Sequence, residues 1–247
     1  MIKAIRNALK VKDIRERILF TLLCLAVVRL GSQLPIPGID RSRISEFLNQ
    51  ITQLSFLNAI TGGSFEQLSI FALSITPYIT SSIIMQLLTI AIPRLEEIQK
   101  EGEEGRKKIG AATRYVTVAL ALIESIAMAI GFGRSGYLEN YSVLSVVVIT
   151  LTLTAGSAFL MWIGEKITDK GVGNGISIIL LVNIVSRMPS DIINLFKTYV
   201  VGGTTVINKV IAAILIVAII VALTVYIIVL NDATVSYTHL RAHETDS

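Results

Sequence analysis

The chain has 247 residues, of which 53% are hydrophobic and 16% charged, and its mean hydropathy is +0.69. Those values exclude a soluble domain of this length and point to a polytopic membrane protein. The formal charge of +4 decides nothing by itself, because orientation in a membrane follows where Lys and Arg lie rather than their total.

Residues 1–17 form a basic segment with Ile2, Ile5 and Leu9 on one helical face. This suits either a short helix lying on an anionic cytoplasmic leaflet or a basic tail that obeys the orientation rule. A first span is expected over 18–36. No small-x-small cleavage pattern follows its apolar run, which argues for a segment that stays attached. Cys24, the sole cysteine, falls inside it, so no intrachain disulfide is possible. Arg29 also falls inside it, and a charge at mid-bilayer costs about 2.5 to 3.5 kcal/mol, so it should snorkel or pair near the outer surface.

Gly38 to Gln53 reads as an external loop. From Leu54 to Phe71 a modest apolar helix is cut by Thr61-Gly62-Gly63-Ser64 and carries Glu66. Either it is an ordinary external loop or it is half-inserted, and non-helical backbone at membrane depth needs protein or water around it. The second span, 72–92, lies in an uncharged run from Gln67 to Pro93. Its Ser74, Thr76, Thr80, Ser81 and Ser82 hydroxyls need partners that lipid does not supply, which suits a helix bordering a path. Pro77 is expected to kink it. Ile75 and Ile79 stand four apart on one face.

Arg94 to Arg114 is dense in both signs and reads as a solvated cytoplasmic hairpin. A third span at 115–133 contains Glu124, either a functional group or a polar contact between helices. A fourth covers 142–163. The fifth, 174–188, is preceded by Gly171-Val172-Gly173-Asn174-Gly175. Such a short, glycine-interrupted span points to the lining of a transporter or channel. Asn174 is placed to cap exposed amides; without Gly-Lys-Ser/Thr the run is no nucleotide loop. Ile176 and Leu180 repeat the spacing of Ile75 and Ile79, so spans two and five each offer a pair of branched side chains to one constriction. A sixth span is expected over 206–230. Fourteen Lys and Arg precede span one or separate spans two from three and four from five, against six in the alternate connections, which puts the N-terminus in the cytoplasm.

Read in order, Pro35-Ile36-Pro37-Gly38-Ile39-Asp40, Ile70-Phe71-Ala72-Leu73, Pro77-Tyr78-Ile79, Met85-Gln86-Leu87-Leu88, Lys100-Glu101-Gly102-Glu103, Thr113-Arg114-Tyr115, Met161-Trp162-Ile163-Gly164-Glu165 and Gly173-Asn174-Gly175-Ile176-Ser177 resemble the bacterial SecY family of protein-conducting channel subunits. The resemblance runs from about Ile14 to Asp232. It implies an all-α fold in which the chain's six helices form the N-terminal half of a ten-helix channel, with a re-entrant plug before span two. On matching positions it implies a pore ring at Ile75, Ile79, Ile176 and Leu180. The plug would be Thr61, Gly62, Gly63, Ser64, Phe65, Glu66, Gln67, Leu68, Ser69 and Ile70, and Thr80 and Gln86 would border a lateral gate. The implied partners are SecE and SecG, the SecA motor or a ribosome on the cytoplasmic side, preprotein signal sequences and anionic lipids, with no direct nucleic-acid contact. No enzyme activity, cofactor or metal is expected.

A ring of branched aliphatics dewets a narrow pore, yet offers a passing polypeptide no charge or strong hydrogen bond to hold it back. The competing reading is half of an inverted-repeat secondary transporter that binds a solute at the broken fifth span. The resemblance also implies four further helices beyond Asp232, whereas 233–247 reads as an unrelated tail and is set aside for fold reasoning. Its His239 and His243, four apart, are set aside with it, although such a pair can ligate metal on a helix. A chain with only the first half is expected not to translocate alone.

Overall fold

The computed structural model describes residues 11–37, 60–138, 140–197, 211 and 214–230. The expectations for residues 1–10, most of the external loop, the start of the broken segment, the start of span six and the tail with its two histidines lie outside the described residues. Helix α1 is Lys12–Gly31, α2 Thr76–Ala91, α3 Pro93–Lys100, α4 Glu103–Arg134, α5 Val143–Lys170 and α6 Gly175–Phe196. An apolar helix α7 covers Ile214–Leu230. Two compact units divide the chain, Met1–Arg187 and Met188–Ser247. The second contains the end of α6 and all of α7, which is exposed along nearly its whole length.

By length and composition α4, α5 and α6 can each cross a membrane, and α2 with α3 adds a fourth candidate, bent by 101°. Six spans were expected. Helix α1 carries Lys12, Asp13, Arg15, Glu16 and Arg17 at its start, and α7 is short, so neither qualifies on the same terms.

Three local differences from the sequence reading have plain causes. Pro77 does not kink α2; it stands in the first turn, where its missing N–H has no intrahelical acceptor to lose and its fixed φ suits helix initiation. The sharp bend comes at Pro93 instead, because the residue before a proline is pushed out of the helical region and Ile92 is extended at φ −109°, ψ 110°. The expected hairpin from Arg94 to Arg114 is mostly helix. Its Glu, Lys and Arg are good helix formers, so α3 occupies one arm and α4 starts at Glu103 rather than near 115. Lys100 pairs with Glu96 at 2.7 Å and Lys108 with Glu101 at 2.8 Å. The bond to Glu101 holds the Lys108 ammonium above the usual lysine range.

Helix α4 packs through a stripe of small residues at four-residue spacing, Thr113, Thr117, Ala121, Ser125, Ala129 and Gly133, all buried. Small side chains let helix backbones approach closely where lipid gives no hydrophobic drive for association. The Thr117 hydroxyl meets Ser81 on α2, and Ser125 meets Thr154 on α5 at 2.9 Å. The opposite side of α4 exposes Tyr115, Leu122 and Ile123, as expected of a face turned to acyl chains.

Helix α2 has 16 residues, about 24 Å at 1.5 Å per residue, which is short of the roughly 30 Å hydrocarbon layer. Ahead of it, Thr61 to Ile75 is a chain of turns that is mostly buried.

Candidate functional site

The segment Thr61–Ile75 is buried almost throughout although it is not helical. Thr61, Gly62, Gly63, Ser64, Phe65, Leu68 and Ser69 are buried, Glu66 and Ile70 half-buried, and Gln67 exposed. Backbone at such depth must find its hydrogen bonds internally. Ile36 N–H donates to the Leu68 carbonyl and Ile70 N–H to the Leu34 carbonyl, both at 3.0 Å, which sews the segment to the chain leaving α1. Within it, Phe65 N–H donates to the Thr61 hydroxyl at 3.2 Å and Phe71 N–H to the Ser69 hydroxyl at 3.3 Å. Leu68 and Ser74 take positive φ, 42° and 54°, conformations that cost a non-glycine residue about 1 to 3 kcal/mol. The Ser74 hydroxyl is buried without a hydrogen-bond partner.

Apolar packing offsets that strain. Phe65, Leu68, Ala72 and Leu73 join Ile36, Ala121, Ala129, Ile149 and Leu153 in one core, while Phe71 and Ile75 join Cys24, Val28, Leu160, Ile163, Ile167 and Ile179 in a second. The close approach depends on Gly156 of α5, where a Cβ would collide with the Ile70 carbonyl and also meet the Phe71 ring.

Three of the four expected ring residues converge. Ile75 is 0% exposed within the second core, and Ile79 and Ile176 pack half-buried against that core. Leu180, half-buried one turn beyond Ile176, stands outside it. Ile79 and Ile176 also line one cavity of about 370 Å³ with Tyr78, Ser82, Arg114, Glu165, Asp169 and Asn174 among its walls. The cavity is open on one side because α2, α4, α5 and α6 surround only part of it. Arg114 Nε donates to Glu165 at 2.7 Å across it.

Helix α6 starts as the sequence indicates. Asn174 Oδ1 accepts from the backbone N–H groups of Ile176 and Ser177 at 3.1 and 3.2 Å, the N-cap arrangement. Thr168 on α5 accepts from Gly175 N–H at 2.9 Å, and Thr21 on α1 from Val172 N–H at 3.1 Å. Hydroxyls from two neighbouring helices thus fix the glycine-rich entry, and with it the position of Ile176.

Thr80 and Gln86 are both exposed. Thr80 donates to the Thr76 carbonyl at 3.1 Å, whereas Gln86 lines a separate cavity of about 220 Å³ with Thr89, Gln99, Arg106 and Thr113. The two are not brought into one pocket. Glu124 is half-buried on α4. Arg29 is half-buried, with its Nη1 buried and without a hydrogen-bond partner.

Sequence reading missed two ion pairs and one contact. Arg114–Glu165 and the Glu66–Arg187 pair at 2.6 Å join residues 51 and 121 apart in the chain, a separation no local periodicity bridges. The Gly156 contact had a weak signal, the small residues Ala155-Gly156-Ser157-Ala158 inside an otherwise bulky span.

Comparison with known proteins bears on this arrangement. The SecY family model matches residues 69–240. The protein translocase subunit SecY of Halalkalibacterium halodurans is 41% identical over 237 residues, covering 94% of this chain and 55% of the relative. That of Bacillus subtilis is 45% identical over 207 residues, covering 82% and 48%. The chain thus spans about half the length of these curated relatives. Among solved structures, Sec61 in the canine ribosome-channel complex from the endoplasmic reticulum aligns over 78% of this chain and 40% of its own, with 20% identity and a TM-score of 0.49.

Proposed function

We propose, from the premise that the chain belongs to the SecY family, that it forms the N-terminal half of a protein-conducting channel, passing secreted polypeptides across a membrane and membrane segments into it. The observation that carries this reading is the meeting of Ile79 from α2 and Ile176 from α6 at the wall of one part-enclosed cavity. Branched aliphatics from two helices, with Ile75 packed behind them, make half of a collar that excludes water and ions while holding no passing side chain. Leu180 completes the half-ring once a facing half encloses it.

In this reading residues 61–70 are the plug that closes the outer funnel above the collar. Thr80 and Gln86, left exposed on α2, border the lateral gate, where a signal sequence replaces whatever covers them. The charged elbow of α3 and the start of α4 faces the cytoplasm with the N-terminus, on the side where SecA or a ribosome docks, and SecE and SecG brace the whole. Residues 18–232 act as the channel half, with 1–17 as a basic cytoplasmic arm against anionic lipid; the family match runs on to residue 240, into the stretch 233–247 that the sequence reading set aside. The role is conductive rather than enzymatic. The inverted-repeat carrier reading has no support among the relatives, which are translocase subunits.

The test is electrical. In the full-length channel with its partner subunits, Ile79→Gly combined with Ile176→Ser should leave the resting pore leaking ions in planar bilayers. Unchanged resting conductance in that double variant would remove both residues from the collar.

A further inference from the structure

The cavity beside Ile79 and Ile176 carries charge in its wall, which apolar packing does not require. Arg114 comes from α4 and Glu165 from α5; Arg114 Nε donates to Glu165 Oε1 at 2.7 Å, with the two side chains 55% and 24% exposed. Both line the cavity together with the two isoleucines. Asp169, the other charged residue in that wall, has Lys166 at 3.9 Å on its own helix and is 64% exposed. Each charged side chain of the wall thus lies by one of opposite sign, closely for Arg114 and Glu165, loosely for Asp169. The α5 turn that carries Glu165 also seats the start of α6. A Cβ on Gly164 would collide with the Ile176 side chain, and one on Gly175 with the Gly164 carbonyl. Glu165 is therefore held one residue from the glycine against which Ile176 packs.

We propose that Arg114 and Glu165 are specificity-determining residues of the passage: held against each other, they cancel one another's field at the collar, so that its wall favours neither acidic nor basic stretches of a passing polypeptide. The inference deepens the channel reading and rests on it, because only a chain that goes past Ile79 and Ile176 would sense this wall. The physical need follows from the collar. Branched aliphatics offer no counter-charge and exclude water, so a charged side chain meets its highest barrier there, where it is least hydrated. With water excluded, the field of a nearby uncompensated charge is weakly screened; it raises that barrier for like charge and lowers it for opposite charge. An ion pair in contact leaves only a dipole, whose field falls off faster with distance. Replacing Glu165 by Gln leaves the Arg114 guanidinium uncompensated, which hinders basic stretches and eases acidic ones. Replacing Arg114 by Gln leaves the Glu165 carboxylate, with Asp169 of the same sign in the wall, and does the reverse. A pair that only tied α4 to α5 would affect both kinds of stretch alike.

The test compares the two signs of charge within one protein. The full-length channel with its partner subunits and motor is placed in vesicles without a membrane potential, which would otherwise favour one sign. It is given two versions of one secretory chain that differ in a short mid-chain run of Asp or of Lys. The readout is the translocation rate of the Asp version divided by that of the Lys version. Glu165→Gln should raise this ratio over the parent by roughly two- to fivefold, the size of a half-exposed charge interaction, and Arg114→Gln should lower it by a similar factor. The exchanged pair, Arg114→Glu with Glu165→Arg, should return it to the parent value, which damage to the fold would not do. Unchanged ratios, shifts in the same direction, or an exchanged pair that keeps a shifted ratio would overturn the proposal. A photo-reactive probe at Ile79 in the same variants keeps the two readings apart. Capture of an arrested chain there without opposed shifts retains the channel and removes the cancellation, whereas no capture removes the channel reading and the inference with it.

Discussion

The seam between α4 and its neighbours and the buried segment ahead of α2 solve the same problem in opposite ways. Along α4, the backbone groups between the helix ends are satisfied within the helix, and Thr113, Thr117, Ala121, Ser125, Ala129 and Gly133 repeat every fourth residue, so the contact is regular and its parts are interchangeable. Thr61–Ile75 has no such repeat. The bonds that hold it include two backbone bonds to 34–36, hydroxyl caps and the Glu66–Arg187 ion pair, alongside its apolar packing and the close approach at Gly156, and it carries two non-glycine residues at positive φ. The seam reads as permanent structure, whereas the segment spends strain to sit where it does. That is the character the proposed plug requires, a piece that leaves its seat without unfolding the rest.

The contrast can be broken most severely at Gly156. A valine there would collide with the Ile70 carbonyl, backbone that has no rotamer to yield, and should cost about 3 kcal/mol or more, read as a lowered midpoint of unfolding in mixed detergent micelles. If Gly156→Val unfolds at the parent midpoint, the close packing of the segment on α5 is wrong. Phe65→Ala comes next. Phe65 is 7% exposed in the first core, and its truncation should cost about 3 kcal/mol and raise protease sensitivity within 60–75 while leaving α4 and α5 protected. Equal loss of protection in both regions would erase the distinction between segment and seam.

A smaller effect of opposite sign sharpens it. Ser74 combines a buried hydroxyl without a partner and a φ of 54°, so Ser74→Gly removes an unmet polar group and a strained backbone and should stabilise the unit by about 1 kcal/mol. Destabilisation by that change would mean the hydroxyl is bonded. On the seam, Ser125→Ala deletes one hydroxyl contact to Thr154 and should cost only about 0.6 kcal/mol, the average for hydrogen bonds between helices in membranes; a loss of several kcal/mol would contradict the idea of interchangeable parts.

These two regions also differ in how far the sequence discloses them. The long apolar runs that became α4 and α5, the Asn174 cap and the four-residue spacings of Ile75 with Ile79 and of Ile176 with Leu180 follow from local periodicity, because each depends on residues within a turn or two. The edges of the helices did not follow, since hydropathy marks where lipid ends and not where a charged helix such as the start of α4 stops. Pro77 was misread as a kink because its chemistry is the same at a helix start and in its middle; only the neighbouring backbone decides which. The ion pair of Glu66 and Arg187 and the close approach at Gly156 belong to the tertiary fold, where residues far apart in the chain meet, and no window along the sequence contains both partners.

The most direct measurement is site-specific crosslinking of a translocation-arrested secretory chain to photo-reactive residues in the full-length channel with its partners. Probes at Ile79 and Ile176 should both capture the arrested chain, and probes at Leu122 and Ile123, on the exposed face of α4, should capture lipid and no polypeptide. Capture at Leu122 and Ile123 with none at Ile79 or Ile176 would contradict the account.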